Sequence, residues 1–214
     1  MSERLLVLID FDGTIADTAA IVMEVGNEVL REYGMEEVPE EDFEIMRAKS
    51  ATDLMKQFKV PVRKIPAIVT SIRSSLKQRI DTIEPIDGMI ELLKELAANE
   101  QIDISVLSSN STENVEFFLK KYKIYDIFDS IHGDVGVFSK YTKIRRIAKT
   151  EGRGKRVVSV GDETRDVEAA RIARVPSIAV DWGLSAEVRL KAAKADHIVN
   201  SVPKLKKAIL SYLA

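Results

Sequence analysis

Asp10-Phe11-Asp12-Gly13-Thr14 sets two carboxylates two residues apart, directly after the apolar run Leu5-Leu6-Val7-Leu8-Ile9. In extended backbone such residues point to one side, roughly 6–7 Å apart, with room for a phosphorus atom between them. One carboxylate could attack phosphorus and carry it as an acyl phosphate. The other could protonate the leaving oxygen and then deprotonate the water that frees the phosphate. Gly13 relieves the steric limit on the turn that follows. The plainer alternative is a strand end with two solvated aspartates and a turn glycine.

Three more clusters bear on the same chemistry. The hydroxyls and backbone N–H groups of Ser108-Ser109-Asn110 could hold a phosphate oxygen where a helix begins just beyond. The same residue types also make ordinary helix N-caps. Lys140 near a phosphate would offset its repulsion from an attacking carboxylate. It opens a basic stretch to Arg156 in which eight Lys or Arg face one acid, Glu151. Ile144, Ile147 and Ala148 supply that helix's inner side, so most of these charges form a solvated face. In Gly161-Asp162-Glu163-Thr164-Arg165-Asp166, an oxygen-only donor set suits magnesium. Asp162 would join Asp10 and the Asp12 carbonyl around the ion, with Asp166 holding a metal-bound water. The alternative is an acidic helix start capped by Asp166.

The elements that must carry these groups read as an α/β fold. Apolar runs at 4–9, 102–107, 156–160 and 177–180 are short enough for buried strands, and each ends in polar or glycine punctuation before a helical pattern. Strands alternating with helices form a parallel sheet, and ligands bind outside the carboxyl ends of such strands, where all four clusters fall. Met89, Leu92, Leu93 and Leu96 share one helical stripe, as do Val115, Phe118, Leu119 and Tyr122. Pro203 is expected to open a last helix, with Leu205, Ile209 and Tyr212 inward. Residues 17–83 differ in having no convincing strand. Ile21, Val22, Val25, Val29 and Leu30 mark a helix stopped near Gly34. Acidic Pro39-Glu40-Glu41-Asp42 starts another. Pro66 opens a third, with Val69, Ile72, Leu76 and Ile80 inward. The expected division is a core of 1–16 and 84–214 with an all-helical insert at 17–83.

A chain of 214 residues, 45% hydrophobic and 31% charged, can bury a core without staples. The formal charge of -2 argues against nucleic acid or an anionic membrane as a partner. With no cysteine there is no disulfide, thiolate zinc site or cysteine nucleophile, and two histidines make a histidine-rich metal site unexpected. No apolar run approaches the length of a membrane span or signal-peptide core, which makes the cytoplasm the expected location.

In order and spacing, Asp10 to Thr14, Ser108, Lys140 and Gly161-Asp162 through Asp166 resemble the motifs of the haloacid dehalogenase superfamily across essentially the whole chain. The resemblance implies a Rossmann-like core with magnesium as cofactor. Asp10 would be the nucleophile, Asp12 the acid/base, Lys140 the charge stabiliser, and Asp162 with Asp166 the metal holders. Ser108 would bind phosphate, with Ser109 as the alternative and Thr14 and Asn110 beside the substrate. Ser108 puts Val115, Phe118 and Leu119 in the expected helical phase. Phe138-Ser139-Lys140 resembles the Phe-Gly-Lys of some members, with serine for glycine, and favours Lys140 over Lys143. Dehalogenases lack an aspartate at the position of Asp12. The runs Gly161 to Asp166 and Val180-Asp181-Trp182-Gly183 look closest to phosphoglycolate-phosphatase-like members, Trp182 itself reading as a partly buried aromatic at a strand end.

The insert resembles that family's small cap. Met46-Arg47-Ala48-Lys49-Ser50 lies where such caps select substrate, so Arg47 or Lys49 could bind a substrate carboxylate, an exposed helix face being the competing explanation. The implied activity is magnesium-dependent hydrolysis of small phosphate monoesters, phosphoglycolate-like, through an aspartyl phosphate. The alternatives are a phosphosugar mutase of the same fold and a non-catalytic regulatory module. The expected partner is a small-molecule phosphate ester, and the expected state a monomer or homodimer.

Overall fold

The computed structural model describes residues 4–49, 53, 60–136 and 139–213. Ser50 and Phe138, and the inward side chains assigned to Val69 and Ile72, lie outside what is described. Six strands form one sheet: β1 Arg4–Ile9, β2 Ile102–Leu107, β3 Ser130–His132, β4 Lys155–Gly161, β5 Ser177–Val180 and β6 His197–Val199. Their order is β3-β2-β1-β4-β5-β6 and every pairing is parallel. The α/β expectation therefore holds, with two more strands than the four apolar runs announced.

β1 lies at the centre, and Leu5 through Ile9 are all at most 1% exposed. A strand covered on both faces needs apolar residues at consecutive positions, which explains its unbroken run. Alternate side chains enter different layers. Leu5, Val7 and Ile9 join the larger core with residues of helices α4 (Met89–Ala97), α5 (Thr112–Lys121) and α9 (Val202–Leu210). Leu6 and Leu8 pack with Ile144 and Ile147 of α6 (Lys140–Lys149) and Ala169 of α7 (Thr164–Ala173). A short α8 (Glu187–Ala192) precedes β6. Pro203 is the second rather than the first residue of its helix, and Pro66 likewise the second of its own.

From β1 the chain steps outward to β2 and β3, then returns to β4 on the other side of β1. The reversal between β1 and β4 opens a crevice at their carboxyl ends. Residues 19–78 supply α1 (Ala19–Glu32), α2 (Phe43–Arg47) and α3 (Ile65–Gln78), with no strand among the described residues. Val25, Val29 and Ile68 form a separate small core between α1 and α3. The chain leaves and re-enters the sheet domain through a hydrogen-bonded neck: Asp17 N–H donates to the Glu84 carbonyl at 2.8 Å, and Ile86 N–H to the Ile15 carbonyl at 2.9 Å.

Candidate active site

β1 ends at Ile9, so Asp10 and Asp12 lie just past the strand, where the chain goes on to turn at Gly13. Between them is Phe11, which is fully buried edge-on to Phe118 with ring centroids 5.0 Å apart. Phe11 is thus the anchor that fixes the two carboxylates at the sheet's carboxyl end. Asp10 N–H donates to the Val160 carbonyl at 2.9 Å, tying the turn to β4.

The Asp10 carboxylate is buried and held at both oxygens. Phe11 N–H donates to Oδ1 at 2.8 Å and Lys140 Nζ to Oδ2 at 2.7 Å. Lys140 also donates to Asp166 Oδ1 at 2.5 Å. It is a buried lysine gripped by two carboxylates, not a member of the solvated face that follows it. Asp166 Oδ2 accepts from Glu163 N–H at 3.0 Å, closing a reciprocal cap at the start of α7. Asp166 thus caps the helix, as the plainer alternative expected, and holds Lys140 with its other oxygen. Asp162 is fully buried; its Oδ2 accepts from Leu184 N–H at 2.7 Å and its Oδ1 from the Thr14 hydroxyl at 3.3 Å. Thr14 is buried against Asp162 and turns no side-chain oxygen toward open space.

Asp12 faces another way: both its oxygens accept from Asn110 Nδ2, at 3.1 and 3.2 Å. Asn110 in turn receives Asn114 Nδ2 at 3.0 Å, which locks its amide. The N-cap of α5 is Ser111, whose hydroxyl accepts from Asn114 N–H, so Ser108, Ser109 and Asn110 stand free of that duty. Ser108 is fully buried with Oγ accepting from Asn110 N–H at 3.0 Å, whereas half-buried Ser109 has its Oγ 3.5 Å from Arg165.

Charge balance gives the cluster its character. Oxygens of Asp10, Asp162 and Asp166 all lie within 4.8 Å of one another. Burial pushes Asp10 up to about 7; Lys140 opposes the rise and Asp166 adds to it. Burial pushes Asp12 up to about 6, moderated by Asn110. Asp162 is raised well above the usual carboxylate range by burial and then by Glu163, Asp166 and Asp10. At Asp166 burial is outweighed by Lys140 and Arg165, and the group lies below its ordinary value. Three buried acids around one lysine leave negative charge in excess. Hard oxygen donors and surplus charge fit a magnesium ion.

A model of the family described as haloacid dehalogenase-like hydrolase matches residues 7–180. The chain belongs to that family. This haloacid dehalogenase-like hydrolase is 27% identical over 204 residues to a phosphoglycolate phosphatase of Synechococcus elongatus, covering 95% of this chain and 96% of that protein. It is 22% identical to pyrophosphatase PpaX of Bacillus mycoides, over 93% of this chain and 94% of that one. Among solved structures, a phosphatase predicted from Clostridium acetobutylicum superposes with a TM-score of 0.79 at 25% identity, covering 98% of this chain and all of that chain.

Arg165, to which the motif reading gave no role, lies beside these groups. Arg165 reaches toward Ser109, pairs with Glu163, and keeps its Nε buried without a partner among the described residues. Arg47 is not an open anion receptor. Its guanidinium holds Glu44 at 2.7 Å and the Asp181 carbonyl, lies 6.0 Å from the Phe43 ring, and so ties α2 to the loop after β5. Lys49 and Arg47 both line a cavity beside the site. Trp182 packs half-buried against the main core, as its position at a strand end implied.

Gly13 and Gly183 make room for Asp162. A Cβ on Gly13 would stand 2.7 Å from Asp162 Cγ, on backbone with φ +67°. At Gly183 the backbone is ordinary, but a Cβ would stand 2.5 Å from the same atom. Gly183→Ala is therefore expected to displace Asp162 and weaken divalent-metal binding by about tenfold or more. Calorimetric titration with magnesium reads this; an unaltered affinity would show that Gly183 does not hold Asp162 in place.

Proposed function

We propose that this chain is a magnesium-dependent phosphatase that hydrolyses small phosphate monoesters through a phosphoryl group carried on Asp10. One observation carries the reading: a buried carboxylate at the end of the central strand, gripped by a buried lysine, with a second buried-shifted carboxylate two residues on. An Asp10 oxygen attacks phosphorus and the P–O bond to the leaving alcohol breaks. Protonated Asp12 gives its proton to the departing oxygen. Asp12 as carboxylate then takes a proton from water, which attacks the acyl phosphate and releases inorganic phosphate, restoring Asp10. A group raised to about 6 can be populated in both forms near neutral pH, as this double role requires.

Phe11 N–H and Lys140 fix the orientation of Asp10, which lowers the entropic cost of attack. Ser108, Ser109 and Asn110 are the proposed phosphoryl ligands, with Arg165 behind Ser109. Asp10, Asp162, the Asp12 carbonyl and Asp166 would hold magnesium, Asp166 by way of a metal-bound water. When bound, the ion would offset negative charge on the phosphoryl oxygens and the nucleophile. The helices of residues 17–83, joined to the core through the hydrogen-bonded neck, are proposed as a cap that shields the site from water.

The test is phosphate release from a panel of monoesters and pyrophosphate with magnesium, beginning with phosphoglycolate, for which relatives are named. Magnesium-dependent release is expected, and its absence across the panel would overturn the proposal. A second expectation concerns stability. Asp10 is raised from 3.8 to about 7, so the stability linked to it is present at low pH and lost as pH rises through that window. Magnesium binds the ionised form and removes the repulsion. Magnesium chloride should therefore raise the melting temperature more at pH 8 than at pH 5.5. Equal or reversed increments in a thermal-shift assay would contradict the proposed metal cluster.

A further inference from the structure

Helices α1, α2 and α3 enclose, with the loops after β4 and β5, a cavity of about 330 Å³. This is within the size range of small-molecule sites. Val22, Leu30, Val38, Phe43 and Met46 give it a largely apolar wall. The opposite wall includes Glu163 and Leu184. These two reach into the catalytic cluster: Glu163 N–H donates to Asp166 and Leu184 N–H to Asp162. The cavity is thus next to two of the proposed metal ligands, through Leu184 bonded to Asp162 and Glu163 bonded to Asp166. Lys49 and Arg189 bring positive charge to the lining against the single acid Glu163, while the charge of Arg47 is held by Glu44.

Gly26 adds an independent observation. It lies in the interior of α1, where glycine is the least favourable residue short of proline. Its backbone is not in the left-handed region, and an added Cβ would meet nothing within 4 Å among the described residues. Among the described residues, neither chain conformation nor close packing calls for glycine there. Its effect is on the cavity it lines, whose wall it leaves open at that turn.

We infer that the leaving group of the preferred substrate is apolar and phenyl-sized or larger, seated in this cavity while its phosphoryl group lies at Asp10. The inference rests on the phosphatase reading above and narrows it. Glycolate and phosphate are polar throughout and would leave the apolar wall facing water. An aromatic or branched aliphatic group removes that wall and itself from water together.

The test compares 2-phenylethyl phosphate with ethyl phosphate, since both release primary alcohols of similar reactivity and differ in apolar bulk. Phosphoglycolate and pyrophosphate complete the series, all with magnesium. kcat/KM for 2-phenylethyl phosphate should exceed that for ethyl phosphate by at least about tenfold, chiefly through KM. Gly26→Leu should collapse this ratio several-fold. Val22→Phe, one turn earlier on α1, narrows the same space and serves if the leucine variant melts early. A ratio near one, faster turnover of phosphoglycolate or pyrophosphate, or a ratio unmoved in both folded variants would overturn the inference while leaving a phosphatase. No release from any of the esters would instead overturn the phosphatase reading, and this inference with it.

Discussion

Asp10→Asn is expected to lower kcat for monoester hydrolysis by about 10⁴-fold or more, the scale reached when a covalent nucleophile is removed. The amide keeps the shape and can still accept from Phe11 N–H, but it has no competent nucleophilic oxygen. The same substitution should not destabilise the metal-free protein at pH 8. Burial raises the Asp10 carboxyl to about 7 against Lys140's opposing pull. Its folded value exceeds the ordinary 3.8, so its ionisation weakens the fold as pH rises from about 4 through 7. Asparagine removes that dependence. In the presence of a chelator, the melting temperature of Asp10→Asn minus that of the parent should be more positive at pH 8 than at pH 5. Residual activity within tenfold of the parent would end the nucleophile assignment. A difference of opposite sign would show that Lys140 overcompensates Asp10's burial.

Three of the four chemical clusters were legible because each follows a strand long and apolar enough to be seen; Lys140 comes after the short β3 instead. β1, β2, β4 and β5 are buried strands whose punctuation is the site itself. β3 and β6 escaped notice because each has three residues, at the two edges of the sheet, and Ser130-Ile131-His132 carries no pattern that three residues could reveal. What was not legible is pairing between clusters. Lys140 was picked out of eight basic residues by resemblance alone; its burial between Asp10 and Asp166 follows from the packing of α6 beside α7. Thr14 and Asp162 are 148 positions apart and meet only because β1 and β4 are neighbours. Gly183 was quoted only as part of the Val180 to Gly183 run, whereas its need comes from the Asp162 side chain lying against it. Arg165 stood inside a quoted motif and was given no role there. Its place in the first turn after an acidic strand end was the available signal. The cavity was hidden because Val22 and Leu30 at helical spacing read as core, and half of that stripe, Val25 and Val29, is core.

Lys140→Met should cost more stability than any other substitution considered, about 3–5 kcal/mol at pH 8, because it leaves buried carboxylates without their cation. Methionine has similar length and is apolar, so lost packing contributes little and the charge is what the experiment removes. In the parent, Asp166 lies below its ordinary value because Lys140 and Arg165 outweigh burial. Its contribution is present above 3.8 and lost as pH falls through its folded value. Without Lys140, Asp10 and Asp166 each lose their main lowering influence. Both then favour protonation in the folded state, and stability falls as pH rises. The gap between variant and parent should therefore be widest at pH 8 and narrow toward pH 5, with denaturant melts at several pH values as the measurement. Magnesium should recover part of the loss at pH 8, since a divalent ion can answer the same carboxylates. Activity should stay about 10²–10³-fold down even with magnesium, because Lys140 also neutralises Asp10 as it approaches a phosphate anion. A loss independent of pH would mean that Lys140 acts by filling space. Recovery of stability together with activity would mean that one positive charge serves as well as two. Separation of the two effects is what a lysine bridging the nucleophile and the metal-supporting aspartate predicts: the ion can replace it in holding the fold together but not at the reacting oxygen.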